Sequence, residues 1–408
     1  MANASSSNGL EKRPKLRFPG FDEPYRSTQL GDIAALVNRT DPKSNAPIMM
    51  LSAGNGFIMQ SEKYSRDNAG QSLKKYILLK QGELAYNHGA SKAKQFGCCY
   101  ELTGPEARIP YVYHCFKINN HEYTPFIAMA LNNAKMDRQL KRLVSSSVRM
   151  DGLLNISFED YMSVTIHLPS PSEQKRIADF LQKIDERITA QEKLLASLKK
   201  YKRGVVRTLL TPGSCCIEDA TWTTTKIGAL GSFTKGAPLS KADIAPDGTP
   251  FILYGELYTT YHEVINAVIR RTKAQPEKQY YSHVGDVIIP TSGETPEEIS
   301  TAACVMLPDI ILAGDLNIFR SSKIDGRIMS YILNHIVNGQ IARIAQGKSV
   351  VHIQASELSK IEISYPDYNT QCKMISVFEA IATRIKSAEN ELTYLRTMQK
   401  ALLQQLFI

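Results

Sequence analysis

The feature that most constrains the fold is an internal repeat, in which two parts of the chain agree at a constant offset of 197 positions. Residues 169–174, before one helical pattern, align with residues 366–371 before another (366 − 169 = 197). Residues 28–33 align with residues 225–230 at the same offset. Between these edges agreement is faint and the offset drifts to 203. Self-similarity of this kind indicates one structural unit used twice.

Each copy ends in a segment that predicts a long helix. In the first, Ser170 can cap the free amides, Pro171 suits the first turn and Glu173 completes a capping box. The helix is predicted to stop at 211–213, Thr-Pro-Gly. Apolar residues spaced alternately four and three apart predict a helix-pairing seam of the coiled-coil type on both helices. These seam residues are Ile177, Leu181, Ile184, Ile188, Leu195, Leu198, Val205, Leu209, Met374, Phe378, Ile381, Ile385, Leu392, Leu395, Leu402 and Leu406.

A lone helix of this type would leave its apolar stripe in water, so we expect the two helices to pack on each other. The chain must return through a second globular region before the second helix starts, which favours an antiparallel pair. About 36 residues at ~1.5 Å per residue make a rod of roughly 54 Å. The alternatives are that each helix packs on its own domain or that the rod mediates dimerisation.

The regions before the two helices predict mixed α/β domains with short strands. In the first region, strands are predicted at 75–80, 82–86, 111–117 and 164–168, with a helix at 124–143. In the second, strands are predicted at 251–254, 286–289, 301–306 and 361–365, with a helix at 327–344. The fold class is therefore α/β (α+β), with two similar domains in a pseudo-two-fold arrangement, separated by two long antiparallel helices.

Composition narrows the class of protein without naming a function. The chain is 43% hydrophobic and 22% charged, as in ordinary globular proteins. A net charge of +9 permits a polyanionic partner but does not require one. Seven cysteines show no zinc-site spacing, so no metal is expected. No apolar stretch approaches the ~18 residues of a membrane span, and the polar first 15 residues do not resemble a signal peptide, so we expect a cytoplasmic protein.

Several predicted loops combine Lys, Arg, Asn and Ser, side chains that suit phosphate contacts and base-edge hydrogen bonds. For any one of them, a solvated loop residue is the alternative. The candidate DNA-binding residues are Asn87, Ser91, Lys92, Lys94, Lys235, Lys241, Tyr254, Arg270, Arg271, Thr291, Ser292 and Lys348.

The helix start at 168–188, its continuation to Leu209 and its weaker copy from Pro366 resemble the specificity (S) subunits of type I restriction-modification systems. The domain opening at 226–231 and the lead-in at 346–358 are also similar. The resemblance implies a flexible tail (1–17), target recognition domains (18–168 and 220–365), conserved spacer helices (169–212 and 366–408) and a linker (213–219). Each recognition domain would read one half of a bipartite, asymmetric target in double-stranded DNA.

The resemblance also implies partners. The helices would dock two modification subunits, which methylate adenine N6 using S-adenosylmethionine, and through them restriction subunits, which use ATP and Mg²⁺. This chain itself is expected to hold no cofactor. The second helix departs from the pattern of the first, because Asp179-Phe180-Leu181 becomes Ser-Val-Phe at 376–378 and Asp185-Glu186 becomes Ala-Thr at 382–383. Equivalent docking of two modification subunits is therefore in question.

A search for catalytic motifs finds none. No amino-methyltransferase motif is present, because Asp41-Pro42 is followed by Lys43. Gly347-Lys348-Ser349 mimics the end of a phosphate-binding loop, but Ala342 stands where the first glycine is required. We therefore expect a non-catalytic chain, with the methyltransferase and endonuclease activities residing in the assembled complex. The alternatives are a coiled-coil scaffold without DNA specificity and an enzyme with an unrecognised active site.

Overall fold

The computed structural model describes residues 13–63, 70–91, 94–144, 154–345 and 351–408. Two compact units make up the chain. The first unit comprises Met1–Gln191 with Glu391–Ile408, and the second comprises Glu192–Asn390. Two long helices each contribute residues to both units, and each unit is described by itself below.

In its described residues, the first unit holds ten strands and five short helices before the first long helix. The strands are β1 (Arg26–Gln29), β2 (Ala34–Leu36), β3 (Met49–Ser52), β4 (Gly56–Met59), β5 (Ile77–Lys80), β6 (Leu84–Asn87), β7 (Cys98–Glu101), β8 (Glu106–Ile109), β9 (His114–Ile118) and β10 (Thr165–Leu168). The helices are α1 (Leu30–Ile33), α2 (Gln60–Lys63), α3 (Thr124–Leu131), α4 (Ala134–Leu143), α5 (Phe158–Met162) and the long α6 (Pro171–Leu209), with a 3₁₀ turn at Gly70–Lys75.

The second unit follows a closely similar order. Its strands are β11 (Trp222–Lys226), β12 (Gly231–Lys235), β13 (Thr249–Leu253), β14 (Val264–Ile265), β15 (Arg270–Thr272), β16 (Asp286–Pro290), β17 (Ser292–Gly293), β18 (Ala303–Val305), β19 (Ile311–Ala313), β20 (Leu316–Ser321), β21 (Val351–His352) and β22 (Glu362–Pro366). Its helices are α7 (Ile227–Leu230), α8 (Glu256–Thr259), α9 (Pro296–Ile299), α10 (Gly326–His335), α11 (Asn338–Ile344), α12 (Ala355–Leu358) and the long α13 (Tyr368–Leu406), with 3₁₀ turns at Pro212–Ser214, Lys241–Asp243 and Lys278–Tyr280.

A two-stranded ladder closes each globular part. In the first unit β1 pairs antiparallel with β10 and places Thr28 opposite Ile166. In the second, β11 pairs antiparallel with β22 and places Thr225 opposite Ile363. Both partners differ by 197 positions (225 − 28 and 363 − 166). The edges of the sequence repeat are therefore this ladder, in the same register twice.

The interior of the repeat is also preserved, although its sequence is not. The central sheet has the order β2-β9-β6-β7 in the first unit and begins β12-β20-β16-β18 in the second, where β14 adds a fifth strand. Leu84 lies opposite Phe116, and Val287 lies opposite Phe319. These partners differ by 203 positions (287 − 84 and 319 − 116). The second unit thus has six more residues between its first sheet strand and β16.

A glycine marks the turn before the central strand in both units. Gly82 has φ +81° and Gly285 has φ +94°, in the left-handed region that a side chain disfavours. The Gly82 amide donates to the Leu102 carbonyl (2.9 Å), and the Gly285 amide donates to the Val305 carbonyl (2.8 Å). The faint resemblance at offset 203 therefore records one backbone turn used twice.

The predicted strands are present, most of them shortened at one end, but both predicted domain helices are broken in two. The helix predicted at 124–143 splits at Asn132 and Asn133. The Asn132 side chain donates to the Ala128 carbonyl at the end of α3, and the Asn133 side chain accepts from the Lys135 and Met136 amides at the start of α4. Asparagine caps of this kind compete with helix continuation. The strand predicted at 111–117 begins only at His114.

The predicted flexible tail spans 1–17, of which residues 1–12 lie outside the described residues. Within it, the Leu16 amide donates to the Gln405 carbonyl (3.1 Å). The Arg17 guanidinium forms a two-point contact with the fully buried Glu173 carboxylate at 2.7 and 2.9 Å. Ordered contacts in the first unit thus begin before Phe18.

The long helices α6 and α13 are 39 residues each. Within the first unit, Arg187 pairs with Glu391 (2.7 Å), and the Gln399 amide donates to the Asp185 carboxylate. Because the lower-numbered α6 residue meets the higher-numbered α13 residue, the helices run antiparallel there. The seam residues are buried or half-buried along both helices. The predicted fold class, similar α/β domains with long antiparallel helices, is confirmed. Within the described ranges, no helix is long and apolar enough to span a bilayer.

Candidate nucleic-acid interface

A short exposed turn leads into the second strand of each central sheet. In the first unit it comprises residues 110–113, between β8 and β9, and in the second unit residues 313–316, from the last residue of β19 to the first residue of β20. These segments correspond at offset 203, and we call them tip turn 1 and tip turn 2. Tyr111 is 50% exposed and Val112 is 37% exposed, and Asp315 is exposed as well.

Tip turn 1 is held from below by a buried histidine. His88 is only 6% exposed, and its Nε2 lies 3.0 Å from the Val112 carbonyl while its Nδ1 lies 2.9 Å from the Leu154 carbonyl. The His88 ring also lies 4.9 Å from the His114 ring. Burial lowers the pKa of His114, although its hydrogen bond to the Ile156 carbonyl opposes the shift. The aromatic packing and the two carbonyl contacts fix the base of the turn.

Tip turn 2 is held by the residue that corresponds to His88. Thr291 (291 − 88 = 203) donates its amide to the Asp315 carbonyl (2.7 Å) and accepts from the Ile353 amide (3.0 Å). The Ser292 hydroxyl donates to the Asp315 carboxylate at 2.7 Å. Gly314 has φ +79°, and a Cβ added there would lie 3.0 Å from the Tyr254 ring. The same turn is therefore held by a side chain in the first unit and by a backbone amide in the second.

Cations lie beside both tip turns. The Lys75 ammonium lies 5.7 Å from the centre of the Tyr111 ring, and Lys74 next to it is exposed. In the second unit the Lys235 ammonium donates to Asn317 at 2.9 Å. Burial lowers the pKa of Lys235, whereas the charge of Asp315 raises it. Each turn thus combines a positive charge with exposed groups able to contact a base edge or a base face.

The structure brings part of the candidate set to these turns. In the second unit Lys235, Tyr254, Thr291 and Ser292 all lie around tip turn 2, although Ser292 is 5% exposed and has little surface for a DNA contact. Among the first-unit candidates, Asn87 is the neighbour in sequence of His88, which supports tip turn 1. Its side chain accepts from the Gly89 amide (2.9 Å) and so shapes the loop.

The remaining described candidates lie elsewhere. The Ser91 hydroxyl accepts from the Lys94 amide, and the Lys94 ammonium donates to the Asn132 carbonyl (2.9 Å). Arg270 and Arg271 lie on β15, an edge strand, where they contact the Glu256 carboxylate (3.1 Å) and the Gly248 carbonyl (2.8 Å). Of the three other candidates, Lys241 is exposed, and Lys92 and Lys348 lie outside the described residues.

Comparison with known proteins bears on what such turns serve. Residues 25–200 match the family model described as the type I restriction modification DNA specificity domain. Over these residues the chain is similar to a type I specificity domain. The resemblance to the specificity subunits is confirmed, and such subunits act in DNA sequence recognition and are generally non-catalytic.

Two solved structures share the fold over nearly the whole chain. The S subunit of a type I restriction-modification system from M. genitalium is 14% identical, with a TM-score of 0.60 over 97% of this chain and 99% of that one. A chain from a structural study of complex assembly and conformational transition in the type I R-M system is 16% identical, with a TM-score of 0.54 over 96% and 98%. None of the curated proteins matches this chain.

Two exposed residues of this specificity fold were not among the sequence candidates. Tyr111 was placed inside a predicted strand, and Asp315 was not singled out. The missed signal was the 203-residue offset, which places Val112 and Asp315 at the same position in the two units (315 − 112 = 203). The Tyr113 amide donates to the Pro110 carbonyl (3.1 Å) and so makes the turn that the strand prediction overlooked.

The second unit also fastens α6 to its globular part through buried charges. Glu263 accepts from Lys202 on α6 (2.6 Å) and contacts His335 on α10 (2.7 Å). These groups line a cavity of about 1220 Å³ within the second unit. Burial alone would raise the pKa of Glu263, but the contact with His335 and the charge of Lys202 outweigh it and lower the pKa to about 2. Lys202, a polar residue between Leu198 and Val205 of the helix seam, therefore attaches α6 to the globular part of the second unit.

Proposed function

We propose that this chain is a non-catalytic recognition subunit in which each unit reads one half of a bipartite, asymmetric DNA target. The observation that carries the proposal is the match of residues 25–200 to a DNA specificity domain, together with the recurrence of the same strand register in the second unit. The recurrence of this strand register supports a second DNA-recognition unit in the same chain.

The chemistry of the tip turns supports an asymmetric target. Tip turn 1 offers an aromatic ring, an aliphatic side chain and a lysine, whereas tip turn 2 offers an exposed carboxylate and a lysine. Base edges in the major groove differ in their donors, acceptors and the thymine methyl group. Side chains this different would select different bases, so the two half-sites would differ.

We further propose that the paired helices set the distance between the half-sites. Helices of 39 residues at ~1.5 Å per residue are about 58 Å long. Two readers on one face of B-DNA are separated by about one helical turn, roughly 34 Å, or a multiple of it. A rod of this length is of the size that such a spacer requires.

The same helices are proposed to dock modification subunits, which would bring S-adenosylmethionine and adenine-N6 methylation, and through them restriction subunits that use ATP and Mg²⁺. Helix α6 exposes Phe180 (38%), Leu194 (48%) and Tyr201 (60%), which are 14 and 7 residues apart. The matching positions of α13 are Val377, Glu391 and Met398. Helix α13 instead exposes Tyr368 (71%), Val377 (40%) and Tyr394 (66%), so the two docking sites are proposed to be unequal.

The test is to reconstitute the chain with its modification subunits and to map the methylated adenines. Replacing residues 220–365 with another recognition domain should change one half of the methylated sequence and leave the other half and the spacer intact. DNA affinity should also fall steeply as salt rises, because phosphate contacts release counterions. Methylation of an unchanged sequence after the exchange would sink the proposal.

A further inference from the structure

We infer that Tyr111 and Val112, at tip turn 1, are specificity-determining residues that contact bases of the first half-site. Gly314 and Asp315 are their counterparts in the second unit. The inference rests on the proposed function and deepens it, because it assigns the reading of particular base pairs to two residues.

The first step is that these side chains are exposed without serving the core. Tyr111 and Val112 are half and more than one-third exposed, although tyrosine and valine normally contribute apolar area to a core. Their neighbour Tyr113 is buried (7%) and packs in the core of the first unit. The turn therefore directs one aromatic residue inwards and holds another outwards.

The second step is that the turn is rigid. The Tyr113 amide closes it onto the Pro110 carbonyl, and the buried His88 ring lies within hydrogen-bonding distance of the Val112 carbonyl. His88 is itself fixed by Leu154, whose amide donates to the His88 carbonyl at 2.9 Å. An exposed side chain on a fixed backbone loses little conformational freedom when it binds, which favours selective contacts.

Two lysines also place positive charge beside tip turn 1. The Lys75 ammonium lies over the Tyr111 ring, and Lys74 adjoins it. Both lysines are exposed, and no acidic partner is found for either among the residues described. An ammonium at such a position can contact a phosphate while the ring and the valine meet base surfaces, including the thymine methyl group. DNA is the partner that combines these two chemistries.

The fourth step is the counterpart in the second unit. Val112 and Asp315 occupy the same place, and each has its carbonyl held by the equivalent residue, His88 or Thr291. Asp315 offers a carboxylate, held by Ser292 at 2.7 Å, which suits the amino group of cytosine. An aliphatic group and a carboxylate at one position of a shared frame would select different base pairs.

The experiment transplants one tip turn onto the other. The double variant Tyr111→Gly/Val112→Asp gives tip turn 1 the side chains of tip turn 2 and keeps the backbone carbonyl that His88 contacts. The reverse exchange is not suitable, because Gly314 has a positive φ and a Cβ there would meet the Tyr254 ring at 3.0 Å. The full chain, reconstituted with its modification subunits, is assayed on targets altered one base pair at a time.

We expect methylation of the original target to fall by about ten- to a hundredfold, as for the loss of one base contact worth ~1–3 kcal/mol. Discrimination should change at one or two base pairs of the first half-site, with the second half-site unaffected. The matched control is Leu36→Ala, which removes a 54% exposed apolar side chain from β2 in the same unit and should leave the methylated sequence unchanged. Lys75→Ala should weaken binding to all targets alike and reduce the salt dependence by about one phosphate contact.

The outcomes separate the two proposals. If the unaltered chain methylates a bipartite target and the double variant methylates it equally well, the inference about the tip turn is overturned and the proposed function stands. An equal loss on targets altered in either half would also overturn it, provided that thermal unfolding shows the variant folded. If the unaltered chain shows no target preference, the proposed function fails and the inference fails with it.

Discussion

The two units share a buried polar frame and differ in the side chains that they expose at their tip turns. Gln174 and Gln371 are buried to within 2% and occupy the same position at the start of the long helices. Gln174 accepts from the Tyr123 amide (2.9 Å) and donates to the Pro169 carbonyl (3.0 Å). Gln371 accepts from the Asp325 amide (2.9 Å) and donates to the Pro366 carbonyl (2.8 Å).

A second pair of residues repeats in the same way. The Asn132 side-chain Oδ1 accepts from the Cys99 amide, and the Asn334 side-chain Oδ1 accepts from the Ala302 amide, both at 3.1 Å. Each of these repeated side chains forms hydrogen bonds with buried backbone groups. A buried backbone group left without such a partner costs ~1–3 kcal/mol. The shared part of the two units therefore depends on hydrogen bonds to buried polar groups, whereas the exposed tip turns are free to differ.

The units also differ in how a helix is fastened. Lys202 on α6 meets a buried carboxylate, Glu263, in the second unit, whereas the matching Gln399 on α13 meets Asp185 in the first unit. The ion pair is the more demanding arrangement, because either charge left alone in a buried place is costly. The following experiments test this contrast and the shared frame.

The largest effect is expected for Glu263→Ala. Removing the carboxylate leaves Lys202 and His335 without their partner, so the free energy of unfolding should fall by about 3–4 kcal/mol. Denaturant unfolding of the purified chain measures it. The counterpart Asp185→Ala in the first unit removes only a hydrogen bond to an amide and should cost less than about 1 kcal/mol. Equal losses at the two sites would remove the contrast.

A pH titration of stability should give a nearly equal effect. The pKa of Glu263 is lowered from 4.5 to about 2, so its stabilisation is present above pH 4.5 and is lost as the pH falls towards 2. The shift corresponds to about 3 kcal/mol. The Glu263→Gln variant should therefore lose less stability than the unaltered chain between pH 5 and 2, as followed by thermal unfolding. Parallel curves would show that Glu263 is not the responsible group.

A smaller effect, equal in the two units, is expected for Gln174→Ala and Gln371→Ala. Each leaves a buried amide and a buried carbonyl without partners, at about 2 kcal/mol in unfolding free energy. Gln182→Ala is the control, because that exposed side chain donates to Glu186 one turn further along the same helix. A loss at one glutamine without the other would show that the frame is not energetically repeated.

The smallest effects are expected for Arg187→Ala and Lys199→Ala, which break the interhelical ion pairs with Glu391 (2.7 Å) and Glu389 (2.8 Å). Both cations are about half exposed or more, so solvent and salt screen them. Each change should alter the free energy of unfolding by less than about 1 kcal/mol. A larger loss in thermal unfolding would indicate that the charges, rather than the apolar seam, hold the helices together.

The amino-acid sequence alone determined the features that depend on local pattern. The 197-residue offset predicted that the edges of one structural unit recur, and the pairs β1 with β10 and β11 with β22 keep that register. Apolar spacing predicted the two long helices, because a stripe at helical period must be covered along its whole length. Capping and stop residues placed the start of α6 at Pro171 and its end near Leu209.

The inner sheet, the helix breaks and the exposure of Tyr111 depend on contacts that the sequence pattern does not show. The inner sheet is repeated at offset 203 with few shared residues, because a strand at such a position requires apolar side chains facing the core rather than particular ones. The helix break at Asn132 depends on a hydrogen bond with Cys99, a partner distant in sequence. The start of the next helix depends on a local cap by Asn133, which the apolar periodicity does not report. Tyr111 faces solvent on a turn whose Val112 carbonyl lies 3.0 Å from the buried His88 ring, a contact between residues 24 positions apart that no local pattern contains.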